Sequence, residues 1–309
     1  MLRIGTRRSA LARAQAGSVM NLLAAVGAPA ELVPIATAGD AASPAGSNDD
    51  SGGVALRRDA GPAGRKGSFV HEIVRALVDG EVDLAVHSAK DLPAEDPDGV
   101  VTAAVPERAD PFDVLVSRDE QLAEGAALGT SSLRRRNQVL RWRPDVRVVD
   151  LRGNVDTRLR RLQDGDIDGL VLAAAGLERL GLRPPFTRRL SLDRMVPAPG
   201  QGALAVQVRA DDAGALAIVR SLDHLASRDA FEAERGVVRA LGADCALPLG
   251  VYAVAGNGGL RVRAAVVGSD GVAADADVTA ASSPAASEAT VRALLAAGAE
   301  PLLAAARES

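Results

Sequence analysis

Lysine is almost missing from this chain of 309 residues: Lys66 and Lys90 stand alone against thirty-four arginines. An ammonium is a compact point charge with rotatable donors, and a planar guanidinium fork cannot imitate it in a tight site. The two lysines lie in Arg65-Lys66-Gly67-Ser68 and in Val86-His87-Ser88-Ala89-Lys90-Asp91, beside small or polar residues rather than in an amphipathic surface pattern. Cysteine is scarcer still. Cys245 has no partner for an internal disulfide, and a reducing compartment, the cytoplasm, is expected. Aromatic residues make up 2% of the chain, so cores must be built from Ala, Val and Leu. No run approaches the eighteen or so apolar residues of a membrane span, and the opening Met1-Leu2-Arg3-Ile4-Gly5-Thr6-Arg7-Arg8 has no apolar stretch of secretory type. The three histidines (71, 87 and 224) are scattered, and no Cys/His/Asp spacing suggests a metal.

The remaining composition is that of an ordinary globular protein, 47% hydrophobic and 25% charged, long enough for two or three domains. Net charge is −4, but it is unevenly placed. Residues 130–161 hold ten arginines and three aspartates, a local +7 that leaves −11 for the rest. A basic stretch in an acidic chain suggests a local anionic ligand, with a solvated helix face as the plainer alternative. Nucleic acid fits less well, because an acidic chain with few aromatics lacks the broad footprint such binding needs.

The first ninety residues alternate between strand and helix. Residues 2–5 read as a strand, and Ser9 can cap a helix over 10–26 that Gly27 stops. Residues 31–36 form a second strand, Ser68 can cap a helix running to Asp79, and 82–87 is an apolar run suited to a buried parallel strand. Between them, 37–67 is rich in Gly, Ala, Ser, Asp and Pro without a period, and is expected to be a mobile loop or lid. A second alternating unit has strands at 100–105, 113–116, 146–150, 169–173 and 203–208, with helices at 131–142, 155–163 and 175–180. The last third carries a helix at 227–241, strands near 251–254, 260–267 and 272–278, and a closing helix at 285–297. Alternation predicts two parallel-sheet α/β domains followed by a small α+β domain.

Polar clusters fall just past strand ends or at helix starts, where α/β folds place ligands. Thr6-Arg7-Arg8-Ser9 follows the first strand, and His87-Ser88-Ala89-Lys90-Asp91 follows the third. Gly129-Thr130-Ser131-Ser132-Leu133-Arg134-Arg135 opens a helix with hydroxyls, free backbone N–H groups and guanidinium forks together. Leu151-Arg152-Gly153-Asn154 follows another strand, with Arg158 one turn into the next helix. Together they describe a cleft for a ligand with many negative charges. Gly61-Pro62-Ala63-Gly64-Arg65-Lys66 lacks the ending of a phosphate loop, and no dinucleotide fingerprint is present, so carboxylates are the better anion. Asp91 reads either as a turn cap or as a carboxylate that stabilises a developing cation or shuttles a proton. Cys245, in a loop after a helix, reads either as a buried hydrophobe or as a point of covalent attachment.

In order along the chain, Thr6-Arg-Arg-Ser9, Arg65-Lys-Gly67, Val86-His-Ser-Ala-Lys-Asp91, Gly129-Thr-Ser-Ser-Leu-Arg-Arg135, Leu151-Arg-Gly-Asn154 with Thr157-Arg158, Ala175-Gly-Leu-Glu-Arg-Leu-Gly181, Pro199-Gly-Gln-Gly202 and Cys245-Ala-Leu-Pro-Leu-Gly250 resemble the hydroxymethylbilane synthase (porphobilinogen deaminase) family. The resemblance runs to about Ala253, and the last fifty residues are generic. It implies an α/β fold with two domains resembling type II periplasmic binding proteins around a cleft, residues 1–104 with 200–222 and residues 105–199. A small α+β domain, 223–309, would follow. It further implies a cytoplasmic, monomeric transferase acting on porphobilinogen, with no nucleic-acid or membrane partner. Four porphobilinogen molecules are joined head to tail with release of ammonia, on a dipyrromethane cofactor attached covalently to Cys245, and water frees the product. Each pyrrole carries an acetate and a propionate, which makes the local positive charge intelligible. By resemblance Asp91 is the catalytic carboxylate. Lys66, Lys90, Thr130, Ser131, Ser132, Arg134, Arg135 and Arg158 hold the cofactor, and Arg7, Ser9, Gln15, Arg152, Arg179 and Gln201 hold substrate. The chain departs from the family pattern in its long Gly/Ala/Ser-rich loop, in Arg65 where glycine is common, in Ala243-Asp244 before Cys245, and in Ala10 for a frequent proline. Two other readings remain open from residues alone, a non-catalytic anion-binding protein and a nucleic-acid binder using 131–147.

Overall fold

Three sheets organise the chain, and the computed structural model describes residues 1–36, 68–243, 247–256 and 258–308. Lys66, Cys245 and the 37–67 segment therefore lie outside the described residues. The chain opens with β1 (Leu2–Arg7), α1 (Ala10–Ala25), β2 (Ala30–Ile35), α2 (Ser68–Val78), β3 (Leu84–Ser88) and β4 (Val100–Ala104). A second run contains β5 (Asp113–Ser117), β6 (Ala127–Gly129), α3 (Leu133–Trp142), β7 (Arg147–Val149), α4 (Val155–Gln163), β8 (Gly169–Ala173), α5 (Ala174–Arg179) and β9 (Thr187–Arg189). Then come β10 (Leu204–Arg209), α6 (Ala213–Arg220), α7 (Leu225–Ala240), β11 (Leu249–Gly256), β12 (Gly259–Val267), β13 (Ala273–Ala280), α8 (Ser283–Ala296) and α9 (Ala299–Arg307).

The strand orders are β2-β1-β3-β10-β4, β7-β6-β8-β5-β9 and β11-β12-β13. Neither five-stranded sheet is wholly parallel, which corrects the expectation of two parallel sheets. In the first, β1 runs parallel to β2 and β3, but β10 is antiparallel to β3 and β4. In the second, β6 is parallel to β7 and β8, while β5 is antiparallel to β8 and β9. The reversed strand in each sheet is the one that arrives by a crossover. Residues 105–112 lead out of the first sheet into β5, and 190–203 lead back into β10. An apolar run such as Leu204-Ala-Val-Gln-Val-Arg209 reports burial on both faces, and its direction is invisible to composition.

Local causes of the elements are plain. Ser9 caps α1 by accepting from the Ala12 amide, and Gly27 leaves that helix at φ +77°. Ser132 caps α3, and Asp212 caps α6. The cores are aliphatic as the composition requires: Ile4, Val19, Leu23, Leu84 and Val206 under the first sheet, and Leu170, Leu172, Leu159 and Ile167 under the second. Behind the three-stranded sheet pack Val237, Val251, Val262 and Leu294. Among the described residues no single helix is long and apolar enough to cross a membrane.

Candidate active site

Strand ends and helix starts bring the site together. β3 runs out into a single 3₁₀ turn, Ala89–Asp91, whose backbone is held by the Ala89 amide donating to the Ala203 carbonyl at 3.1 Å. Gly200, at φ +72°, lies under this turn. A Cβ built there would stand 2.9 Å from the Ala89 carbonyl carbon and 3.0 Å from the Lys90 nitrogen, so only glycine fits without displacing the turn. Lys90 is half-buried and Asp91 is exposed.

Opposite them, β6 ends at Gly129 and the chain enters α3 through Thr130, Ser131 and Ser132. Thr130 is buried, and its hydroxyl accepts from the Ser132 amide at 3.2 Å. The Ser132 hydroxyl accepts from the Arg135 amide at 3.4 Å. Arg134 and Arg135 both turn onto Asp113, the first residue of β5, which is wholly buried. Arg134 contacts its two oxygens at 2.8 and 3.3 Å and donates also to the Val196 carbonyl at 2.6 Å. Arg135 donates through Nε at 2.9 Å. Burial works to raise the Asp113 pKa, but the two guanidinium groups hold it at about 2. Burial lowers Lys90 to about 8, with Arg135 adding to the fall and Asp91 and Asp113 opposing it. Arg158 is lowered to about 10 by burial and then by Arg135, and it donates to the Gly153 carbonyl at 2.7 Å. Arg135 thus repels both Lys90 and Arg158 in a partly dry site.

The other expected residues spread outward from this centre. Arg7 closes β1, Ser9 serves as a helix cap, and Gln15 is buried on α1. Ser131 is half-buried at the entry to α3. Arg152 is exposed and paired with Asp150 at 2.9 Å. Arg179, at the end of α5, donates to the Gly202 carbonyl at 2.7 Å. Gln201 is fully buried; its side-chain amide donates to the Pro111 carbonyl at 2.8 Å and so ties the two crossovers together, while its Oε1 is buried without a partner among the described residues. Arg134 and Arg135 are both buried against Asp113, and Arg134 donates also to the Val196 carbonyl.

The site's geometry converges with comparison to known proteins. The family profile "Porphobilinogen deaminase, dipyromethane cofactor binding domain" matches residues 2–217, and "Porphobilinogen deaminase, C-terminal domain" matches 229–296. The chain belongs to the porphobilinogen deaminase family. A relative from Brevibacillus brevis, named porphobilinogen deaminase, is 43% identical over 86% of this chain and 84% of its own length. Another of that name, from Rubrobacter xylanophilus, is 47% identical over 87% and 85%. Among solved structures, the methionine binding protein MetQ aligns with 72% of this chain and 89% of its own at 13% identity and a TM-score of 0.43, too loose a likeness to bear on ligand or mechanism.

The residues of this porphobilinogen deaminase family member suit a polyanionic group. Arg135 repels Lys90 and Arg158, both lowered by burial, beside hydroxyls at a helix start, and carboxylates arriving there would relieve the repulsion. Asp113 was not singled out from sequence, although an acid heading the otherwise apolar Val114-Leu-Val116 run is a signal of a buried charge partner. Arg108, Glu234, Asp96 and Arg235 were missed for a different reason: the ion pairs they form, Arg108 with Glu234 and Asp96 with Arg235, span 126 and 139 positions.

Proposed function

We propose that this chain joins four porphobilinogen molecules head to tail, with loss of ammonia at each addition, on a dipyrromethane primer held through a thioether to the Cys245 sulfur, and then releases the linear product to water. The primer supplies a nucleophilic pyrrole end on which the chain grows. Lys90, Arg135 and Arg158 would grip acetate and propionate groups near the primer, with Thr130, Ser131 and Ser132 donating hydroxyls beside them. Arg7, Arg152 and Arg179 would take the carboxylates of arriving units, and Lys66 belongs by its motif with the residues that hold the primer. Asp91 places a carboxylate next to Lys90 at the mouth of the same cluster. There it can stabilise positive charge on a pyrrole nitrogen as ammonia departs and accept the proton lost when the ring regains aromaticity.

The observation that carries this reading is the clustering of Lys90 and Arg158 about Arg135, with the exposed carboxylate Asp91 beside Lys90 and Asp113 buried behind the arginines. We assign three units, 1–104 with 200–222, 105–199 and 223–309, each built on its own sheet. We place the protein in the cytoplasm, because a lone cysteine suits a reducing compartment, and take it as a monomer, as the family resemblance implies. Intact mass tests the covalent assignment. The purified protein is expected to exceed its sequence mass by two pyrrole units, and Cys245→Ser to show the sequence mass alone. Asp91→Ala is expected to keep the fold and lose ammonia release, and normal ammonia release by that variant would refute the role of Asp91.

A further inference from the structure

Asp91 sits on one turn of 3₁₀ helix, and little of that turn's own hydrogen bonding fixes it: the Leu92 amide returns to the Ala89 carbonyl at 3.3 Å. The following residues, 92–98, run over the edge of the first sheet toward β4. What anchors them is a charged knot around Asp96. Its Oδ2 accepts from the Thr102 amide at 2.8 Å, and its Oδ1 accepts from the Thr102 hydroxyl at 2.9 Å and the Gln207 amide at 2.9 Å. The same Oδ1 takes Arg235 at 3.0 Å. Arg235 also donates through Nε to the Ala94 carbonyl at 2.8 Å, so one guanidinium, nine-tenths buried, holds the segment at two points. Its neighbour on α7, Glu234, accepts from the Gly200 amide at 2.6 Å, and Gly200 is the residue packed beneath Ala89 and Lys90. Two successive residues of one helix therefore fix both the floor of the Lys90–Asp91 turn and the stretch that leaves it.

With Arg235 buried and Asp96 half-buried, the pair is a poor way to gain stability, since desolvation offsets much of the attraction. What it does set is register. We propose that the Asp96–Arg235 pair is a positioning device for Asp91, in which α7 of the C-terminal unit sets where the catalytic carboxylate stands. This rests on the reading of Asp91 given above. Neither Asp96 nor Arg235 touches substrate in this assignment. They act by denying the 89–96 segment a shift of an ångström or so, the scale on which misplacement of a reacting group lowers rate about a hundredfold.

The test uses the full-length enzyme, with rates expressed per mole of primer-loaded protein as counted by intact mass. Asp96→Asn and Arg235→Lys are each expected to lower kcat for porphobilinogen consumption about tenfold or more, with KM within about twofold. The double variant is expected to be no slower than the slower single one, because both remove one contact. A lowered melting temperature with kcat unchanged would show a merely structural pair and overturn the proposal. If Asp96→Asn does not fold, Arg235→Lys, which keeps the charge opposite Asp96 but cannot make both bonds with one planar fork, carries the same comparison. Asp91→Ala separates the two ideas. Normal turnover in that variant removes the catalytic reading itself, whereas an inactive Asp91→Ala beside full kcat in both pair variants removes the positioning role alone.

Discussion

Arginine dominates this chain, yet the charge it brings is less free than a count suggests. Of the ten arginines in 130–161, six are paired to carboxylates: Arg134 and Arg135 to Asp113, Arg141 to Asp275, Arg143 to Asp145, Arg152 to Asp150, and Arg161 to Asp166. Three of those five acids lie outside the window, where a local tally cannot see them. The motif residues of the site were legible because each cluster is contiguous in sequence; Asp113, Asp96 and Arg235 were not, because their roles are made by distant partners. Lys90 rewards the attention that its rarity attracts. Burial first, and then Arg135, bring its ammonium down to about 8, so its charge is present at neutral pH and lost as pH rises past that point. Each carboxylate bound beside it raises this value. The alkaline limb of kcat/KM is therefore expected at or above about pH 8, and Lys90→Arg, whose guanidinium stays charged, should remove it. An unchanged limb in the variant would assign that ionisation to another group.

At the scale of elements, α4 and β8 are found where the periodicity and apolar pattern put them, and most other elements within two residues. The elements not foreseen have readable causes. β6 and β9 are three residues each and give alternation little to register, α6 is a helix of only eight residues, and α9 carries Pro301 in its first turn, which reads as a breaker although that position needs no amide donor. The turn at Gly200 shows how an element's geometry reaches the site. Gly200→Ala places a Cβ at a positive φ and drives it into the backbone of Ala89 and Lys90. It is expected to cost about 2 kcal/mol or more in a urea unfolding series and to lower kcat as the Lys90–Asp91 turn is displaced. Gly27→Ala makes the control. Its φ is similarly positive, at +77°, but an added carbon meets nothing within 4 Å, so a loss of about 1 kcal/mol with unchanged kcat is expected.

For the whole molecule, the decisive structure is the place where the two crossovers meet the C-terminal unit. Arg108, in the outgoing crossover, reaches Glu234 through two bonds of 2.7 and 3.1 Å and the Gln201 carbonyl through Nε at 2.8 Å. Glu234 is wholly buried and takes two backbone amides besides, Gly200 of the returning crossover at 2.6 Å and Ala253 of β11 at 2.7 Å. One carboxylate thus joins the outgoing crossover, the returning crossover and the third sheet. The Arg108 guanidinium also lies over the Tyr252 ring, which packs against Phe112 at 5.5 Å, an aromatic contact notable in a chain with so few. The sequence pattern could divide the chain into sheets, but this junction depends on Arg108 and Glu234, 126 positions apart, and on a charge that gains meaning only when buried. Arg108→Leu leaves Glu234 buried with two amides and no counter-charge, a change expected to remove about 3–5 kcal/mol of stability. Glu234→Gln keeps an acceptor for one amide and removes the charge, so it should lose less in the Arg108→Leu background than in the native one. A thermodynamic cycle on thermal or urea unfolding measures that coupling. Additive losses would mean that Arg108 and Glu234 act separately and that the three units are held together by their apolar contacts instead.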